Sequence, residues 1–329
     1  MNSLVYDSSY PNKVELVELR KPRPQNSSDC IVRITHAALN RRDQWIREGL
    51  YPGIVNGVVL GSDGCGSVVE GPDFWVGRTV LINPNIGWGE NPATQSSTYQ
   101  ILGMPQNGTL SDFVRVPSDR LIEKPSFLEN EYAAAIPLAG LTAFRACFTK
   151  AAITSAQKVL ITGIGGGVSQ FALQFAAAAG AQVFVTSSSD DKIEKSVSAG
   201  AQNGFNYSEV NWSKQAAEIG GFDAIIDSAG GASVNDYLKL IKPGGRMVFY
   251  GSTTGTVPGM NMTRLFWSQA QLIGSTMGND QEFKNMVSYI EENAIIPVID
   301  HVYKKEDFLE AFNRFKSPEH LGKIVITFQ

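Results

Sequence analysis

Cysteine is nearly absent from this chain. Three occur in 329 residues, Cys30, Cys65 and Cys147, far apart and odd in number. Such a set builds neither a disulfide framework nor a zinc knuckle, and it suits a reducing compartment, so the expected location is the cytoplasm. Histidine is as scarce: His36, His301 and His320 are too scattered to suggest a catalytic triad or a metal cluster. Excess positive charge is also missing. A net charge of −4 supplies no general basic face of the kind nucleic acids require. There is no internal repeat and no low-complexity run, and Met1–Asp7 lacks the basic and apolar regions of a secretory signal. The longest stretch low in charge, Val159 to Ser189, is interrupted by glycines and glutamines. That argues for a buried α/β core against a membrane span.

What is present is enough apolar residue (43%) and enough length for two domains with cores of their own. The most legible stretch runs from Lys158 to Thr186. Lys158-Val159-Leu160-Ile161-Thr162 has the composition of a buried strand. It empties into Gly163-Ile164-Gly165-Gly166-Gly167-Val168-Ser169, and an alanine-rich helical pattern follows from Gln170 until Gly180 stops it. Val183-Phe184-Val185-Thr186 is a second buried strand. Strand, glycine loop, helix and strand make a βαβ unit able to bind a dinucleotide, because residues without side chains let backbone N–H groups reach a pyrophosphate. A G-x-G-x-x-G spacing from Gly163 ends on Val168, so the last glycine is missing. A loop longer by one residue, with Gly163, Gly166 and Ser169 as its small positions, fits better.

The second strand bears on the cofactor. An NAD site places a carboxylate about 20 residues beyond the loop, on the ribose 2′-hydroxyl. Thr186-Ser187-Ser188-Ser189 offers hydroxyls there, and Lys192 follows within one helical turn. Hydroxyls and an ammonium suit a 2′-phosphate, so NADP(H) is the expected cofactor. Asp190 and Asp191 are read as the N-cap and first-turn acid of the following helix.

Elsewhere, the chain to about Pro125 is dense in short strands between Pro, Gly and Asn turns, the profile of a partly closed β-barrel. From Asn130 the texture becomes helical, interrupted at Pro137, and then strands alternate with helices as in a doubly wound parallel sheet. The final apolar run, Lys323 to Phe328, leaves no room for a new domain and is expected to return to the first one.

The extended glycine loop and the closing Gly322-Lys323-Ile324-Val325 together resemble the zinc-free quinone oxidoreductase branch of the medium-chain dehydrogenase/reductase superfamily. The resemblance implies an α/β fold: a GroES-like, partly closed β-barrel catalytic domain (residues 1–125 and 286–329) with an inserted Rossmann domain (126–285). It also implies NADP contacts from Gly163, Gly165, Gly166, Gly167, Val168, Ser187, Ser188, Lys192 and Tyr207. Thr142 is expected near the nicotinamide, and Gly251 and Ser252 at the carboxyl edge of the sheet. Lys323 meets either the pyrophosphate or solvent. Asp63 matches an acid that follows a lost ligand histidine.

Zinc in this superfamily needs about three protein ligands. The matching positions here are Asn40, Ser62 and the Gly140-Leu141-Thr142 stretch, and the Asn83–Gly108 lobe contains no cysteine. No metal is therefore expected. Asn40 and Tyr51 take the places that line the substrate pocket in zinc-free relatives, where an amide and a phenol can donate to an oxygen. Asn40 also suits a helix N-cap, and Tyr51 a pocket wall. Trp45 and Trp88 are read as core indoles as readily as pocket surface. The expected activity is NADPH-dependent reduction of quinones or of the C=C bond of α,β-unsaturated carbonyls. The alternatives are an NADPH-binding sensor or scaffold with little turnover, and a zinc alcohol dehydrogenase. A homodimer is expected through the strand Gln271 to Ser275, an unpaired sheet edge.

Overall fold

Asp29–Leu39 is the strand around which the β-rich part of the chain is assembled. Its residues are buried almost continuously, because it is paired along both edges. One neighbour is Asp63–Glu70, which comes so close that a Cβ on Gly66 would stand 2.0 Å from the Arg33 carbonyl oxygen; only glycine fits there. The other edge is shared by Phe113–Pro117 and by the last strand, Lys323–Thr327, which pairs antiparallel with Ile324 opposite Leu39. Thr79–Ile82, Leu121–Glu123 and Ile299–Lys304 complete a seven-stranded sheet, and Asn2–Tyr6 lies at the centre of a separate three-stranded one. Between them sits an apolar core that includes Leu4, Val32, Ile34, Leu60, Ile82 and Ile326.

This computed structural model describes all 329 residues, which divide into two compact units: Met1–Leu141 with Gly278–Gln329, and Thr142–Met277. The divisions fall later than residue 125 and earlier than 286, where the sequence suggested them. The helix Asn130–Ala134 packs on Asp29–Leu39 and Asp63–Glu70, and the Leu138 N–H donates to Asp63 Oδ1 at 2.7 Å, so this stretch belongs to the β-rich unit. At the other boundary, Asp280 opens the helix Asp280–Glu292 and is held by Arg120, Asn83 and Asn85. Pro137 does interrupt the helical pattern; it becomes the first residue of the helix Pro137–Phe144, where its missing N–H is harmless.

The second unit holds a six-stranded parallel sheet. Its strands are β1 (Lys158–Ile161), β2 (Gln182–Ser187), β3 (Asn203–Asn206), β4 (Phe222–Asp227), β5 (Ile241–Phe249) and β6 (Gln271–Gly274). Their spatial order is β3-β2-β1-β4-β5-β6. This is the order of two mononucleotide-binding halves, and the chain reverses direction of travel between β1 and β4. The Lys242-Pro243-Gly244-Gly245 stretch, a sequence suited to a turn, lies inside β5 as an irregularity: Ile241 faces Phe222, and pairing resumes at Arg246 with Ala224. No helix in either unit is long and apolar enough to cross a membrane.

Candidate active site

The glycine loop follows β1 and ends at helix α1 (Gly167–Ala178). Gly163 has φ +60°, and a Cβ added there would meet nothing within 4 Å, which leaves an open cradle beside the backbone. The loop is pinned on both flanks. Thr186 on β2 accepts the Gly163 N–H on its hydroxyl at 3.2 Å and the Ile164 N–H on its carbonyl at 3.0 Å. Ser169, the residue in place of the usual glycine, shares its one hydroxyl hydrogen between the carbonyls of Gly163 (2.9 Å) and Gly166 (2.8 Å). It therefore fastens the loop as well as fitting it as a small residue. Gly166 is the N-cap, so the N–H groups of Gly167, Val168 and Ser169 open the helix without intrahelical acceptors. Open cradle, helix start and strand order fit a dinucleotide pyrophosphate.

At the neighbouring end of β2 and β3, the Tyr207 N–H donates to the Ser187 carbonyl at 2.9 Å, bringing the half-exposed Tyr207 beside Ser187 and the exposed Ser188. Helix α2 (Asp190–Ser198) starts there and carries Lys192 in its first turn. The two acids nearby are engaged elsewhere: Asp190 accepts from Asn206 Nδ2 at 3.0 Å, and Asp191 pairs with Lys195 at 2.7 Å. Gly251 approaches Ser228 so closely that a Cβ would lie 2.9 Å from its carbonyl oxygen, while the Ser252 hydroxyl donates to Gly255 at 2.8 Å, within its own turn. Thr142 is buried, with its hydroxyl 3.8 Å from the Met277 sulfur.

One residue of this region escaped the sequence reading. Asp227, at the end of β4, is fully buried. It takes a short hydrogen bond from the Thr162 hydroxyl at the end of β1, and the Gly230 N–H at 2.7 Å. Burial pushes its carboxyl up, against the pull of those donors. It ties the strands on either side of the reversal point. The only sequence signal was an acid closing an apolar strand.

The β-rich unit carries a second polar cluster. Its helix, Arg41–Glu48, begins at Asn40 and ends at Gly49 in the left-handed region (φ +79°). That helix turns Arg42, Asp43, Gln44 and Ile46 inward, an unusual set because charged groups are rarely buried. Asn40 is buried and its side chain is committed: Nδ2 donates to Asp63 Oδ2 at 2.9 Å, and Oδ1 accepts from Lys323 Nζ at 2.7 Å. Lys323 also donates to Asp63 Oδ2 and to the Leu39 carbonyl, both at 2.8 Å. An ammonium with three buried acceptors is neither solvated nor open to a pyrophosphate, so Lys323 leaves the cofactor set. Asn40 acts as a helix start and a bridge, with one of its two Nδ2 hydrogens given to Asp63. Asp43 Oδ2 accepts the Asn40 N–H at 2.8 Å; burial, opposed by Arg42, raises its carboxyl.

Tyr51 is half-buried against the core, and its hydroxyl oxygen accepts from Arg42 Nε at 3.3 Å. No protein group accepts the hydroxyl hydrogen. Arg42 also reaches the Ser62 hydroxyl (2.7 Å) and the carbonyls of Leu102 (2.9 Å) and Met104 (3.4 Å). Trp45 is half-buried on the same helix, and Trp88 is buried edge-on against Tyr99.

Comparison with known proteins follows the two-unit architecture. Residues 26–126 match the family described as alcohol dehydrogenase GroES-like domain, and residues 167–292 the family described as zinc-binding dehydrogenase. A zinc-type alcohol dehydrogenase-like protein YogA of Leptosphaeria maculans is 34% identical over 96% of this chain and 94% of its own. A crystal structure of an NAD-dependent alcohol dehydrogenase superposes with a TM-score of 0.94 at 31% identity, covering 100% of both chains. More distant relatives are an acryloyl-coenzyme A reductase of Sulfurisphaera tokodaii (25%, 95% of this chain and 96% of its own) and a quinone oxidoreductase of Pseudomonas aeruginosa (28%, 75% and 73%). The chain belongs to the medium-chain dehydrogenase/reductase superfamily, and it is an oxidoreductase of that type with a GroES-like domain and a Rossmann domain.

Zinc, which the family description implies, does not fit the residues present. No group of three His, Cys, Asp or Glu side chains is placed to hold a metal ion. The positions matched to ligands in the resemblance are Asn40 and Ser62, and each already accepts a hydrogen bond from an internal cation, Lys323 and Arg42 respectively.

Proposed function

We propose that this protein is an NADPH-dependent reductase that acts without zinc on quinones or on the C=C bond of α,β-unsaturated carbonyls. The observation that carries the reading is the pair of cations seated on Asn40 and Ser62, which leaves no ligand set for a metal. The bound nicotinamide supplies the hydride. This chain's residues hold the dinucleotide through the Gly163–Val168 loop, and Ser187, Ser188, Lys192 and Tyr207 recognise the 2′-phosphate. Asn40 is held by Asp63 and Lys323, and Tyr51 is the donor to the substrate oxygen, because its hydrogen has no protein acceptor. A donor placed where charge develops lowers the barrier of the reaction.

The test is Tyr51→Phe, assayed as NADPH oxidation against quinones and enones. Loss of a donor used mainly in the transition state lowers kcat and kcat/KM together, by up to about 100-fold. Full activity with normal melting eliminates the phenol as donor. The names of YogA and of the superposed crystal structure favour a second reading, NAD-linked alcohol oxidation with zinc. Elemental analysis separates the two: about one zinc per chain, lost together with activity in chelator, would establish the second.

A further inference from the structure

Arg42 is a buried cation without a counter-ion in contact. Its surface is 6% exposed, and its four acceptors are two carbonyls and two hydroxyls, all neutral. The nearest acid on its own helix, Asp43, gives Oδ2 to the Asn40 N–H. Buried guanidinium groups are ordinarily paired with carboxylates, since desolvating a charge is costly. Here the guanidinium, which feels Asp43 electrostatically but has no carboxylate in contact, lies beside the only hydroxyl of the cluster with a proton to give. Ser62 accepts from Arg42 and spends its own hydrogen on the Leu102 carbonyl at 2.7 Å. Tyr51 accepts from Arg42 Nε, and its ring centroid lies 4.9 Å from the guanidinium carbon. A hydroxyl oxygen that accepts from a cation loses electron density, and its O–H becomes a stronger donor.

We propose that Arg42 is a positioning residue that orients and polarises the Tyr51 hydroxyl toward the substrate oxygen. The inference rests on Tyr51 as donor, the reading given above. The same guanidinium holds Leu102 and Met104, and so fixes the end of the Asn83–Gly108 lobe against the Arg41–Glu48 helix.

A double-mutant cycle tests it, with NADPH oxidation by 1,4-benzoquinone and by 2-cyclohexenone as the assay and melting curves beside it. Arg42→Gln is expected to lower kcat about 10-fold while leaving KM within about 2-fold, because polarising a donor matters most as charge develops. In the Tyr51→Phe background the same substitution is expected to change kcat by less than about 2-fold, since the two residues act as one unit. Arg42→Lys, which keeps the charge, should restore part of the loss only when Tyr51 is present. An equal loss in both backgrounds would mark Arg42 as structural and overturn the proposal while leaving Tyr51 as donor. A silent Tyr51→Phe overturns both. Should Arg42→Gln not fold, Arg42→Lys carries the same cycle: a loss confined to the Tyr51 background supports the proposal, and equal losses sink it.

Discussion

Asp63 and Lys323 meet at 2.8 Å across 260 positions of the chain, with both side chains almost wholly buried. The contact joins the last strand directly to the strand Asp63–Glu70, and the side chain of Asn40 bridges the same two groups. Removing one partner of such a pair strands the other charge in a medium of low dielectric. Lys323→Met is therefore expected to destabilise the β-rich unit by about 3–5 kcal/mol, read as a lower denaturation midpoint. NADPH affinity of the folded protein should stay within about 2-fold. A large loss of affinity with unchanged stability would return Lys323 to the pyrophosphate.

The Arg120–Asp280 pair makes a prediction for pH. Burial alone would raise the Asp280 carboxyl, but hydrogen bonds from Arg120, Asn85 and Asn83, together with the guanidinium charge, hold it below its ordinary value of 3.8. A carboxyl depressed in the folded state contributes stability that is fully present above the unfolded value and is lost as pH falls through the folded one. Denaturation midpoints of the wild type should thus fall below about pH 4. Asp280→Asn should be less stable at pH 7 and show a shallower acid limb. Parallel acid limbs in the two proteins would remove Asp280 from the account.

Cofactor choice can be read at two positions. Lys192→Ala is expected to weaken NADPH binding by about 1.5–3 kcal/mol, roughly 10- to 100-fold in Kd, through loss of a charge-assisted contact. Binding of NADH should be nearly unchanged. Ser188→Asp, which places a carboxylate at the end of β2, should weaken NADPH and strengthen NADH. Equal changes for both cofactors, measured by fluorescence titration, would count against a 2′-phosphate site.

Assembly is expected through β6. This strand ends the sheet, and its inner neighbour β5 is its only partner. The preceding helix exposes Phe266 and Trp267, the latter to 82%. An open strand edge beside exposed aromatic surface invites pairing with a second copy. Ile273→Lys should convert a dimer to a monomer in light scattering. A monomeric wild type, or an unchanged mass in the variant, would refute the assignment.

Local pattern was enough for the nucleotide-binding unit. Its strands are short apolar runs, its loop is a run of glycines, and the groups that hold a pyrophosphate are backbone N–H groups placed by consecutive residues. Such a site is written in the order of the chain, so the βαβ unit from Lys158 and the hydroxyl-rich end of β2 could be read directly. The return of the last strand was legible for a similar reason, since an apolar run too short for a domain needs an existing sheet. The polar cluster of the β-rich unit was not. Asn40, Ser62, Leu102 and Lys323 are distant in sequence, and only antiparallel pairing of Asp29–Leu39 with both Asp63–Glu70 and Lys323–Thr327 brings most of them together. Whether a lysine near the end of a chain meets solvent, a phosphate or a buried aspartate depends on which acceptors the fold delivers to it. Tertiary structure alone decided that Lys323 is internal, that Asn40 bridges it to Asp63, and that Arg42 stands beside Tyr51.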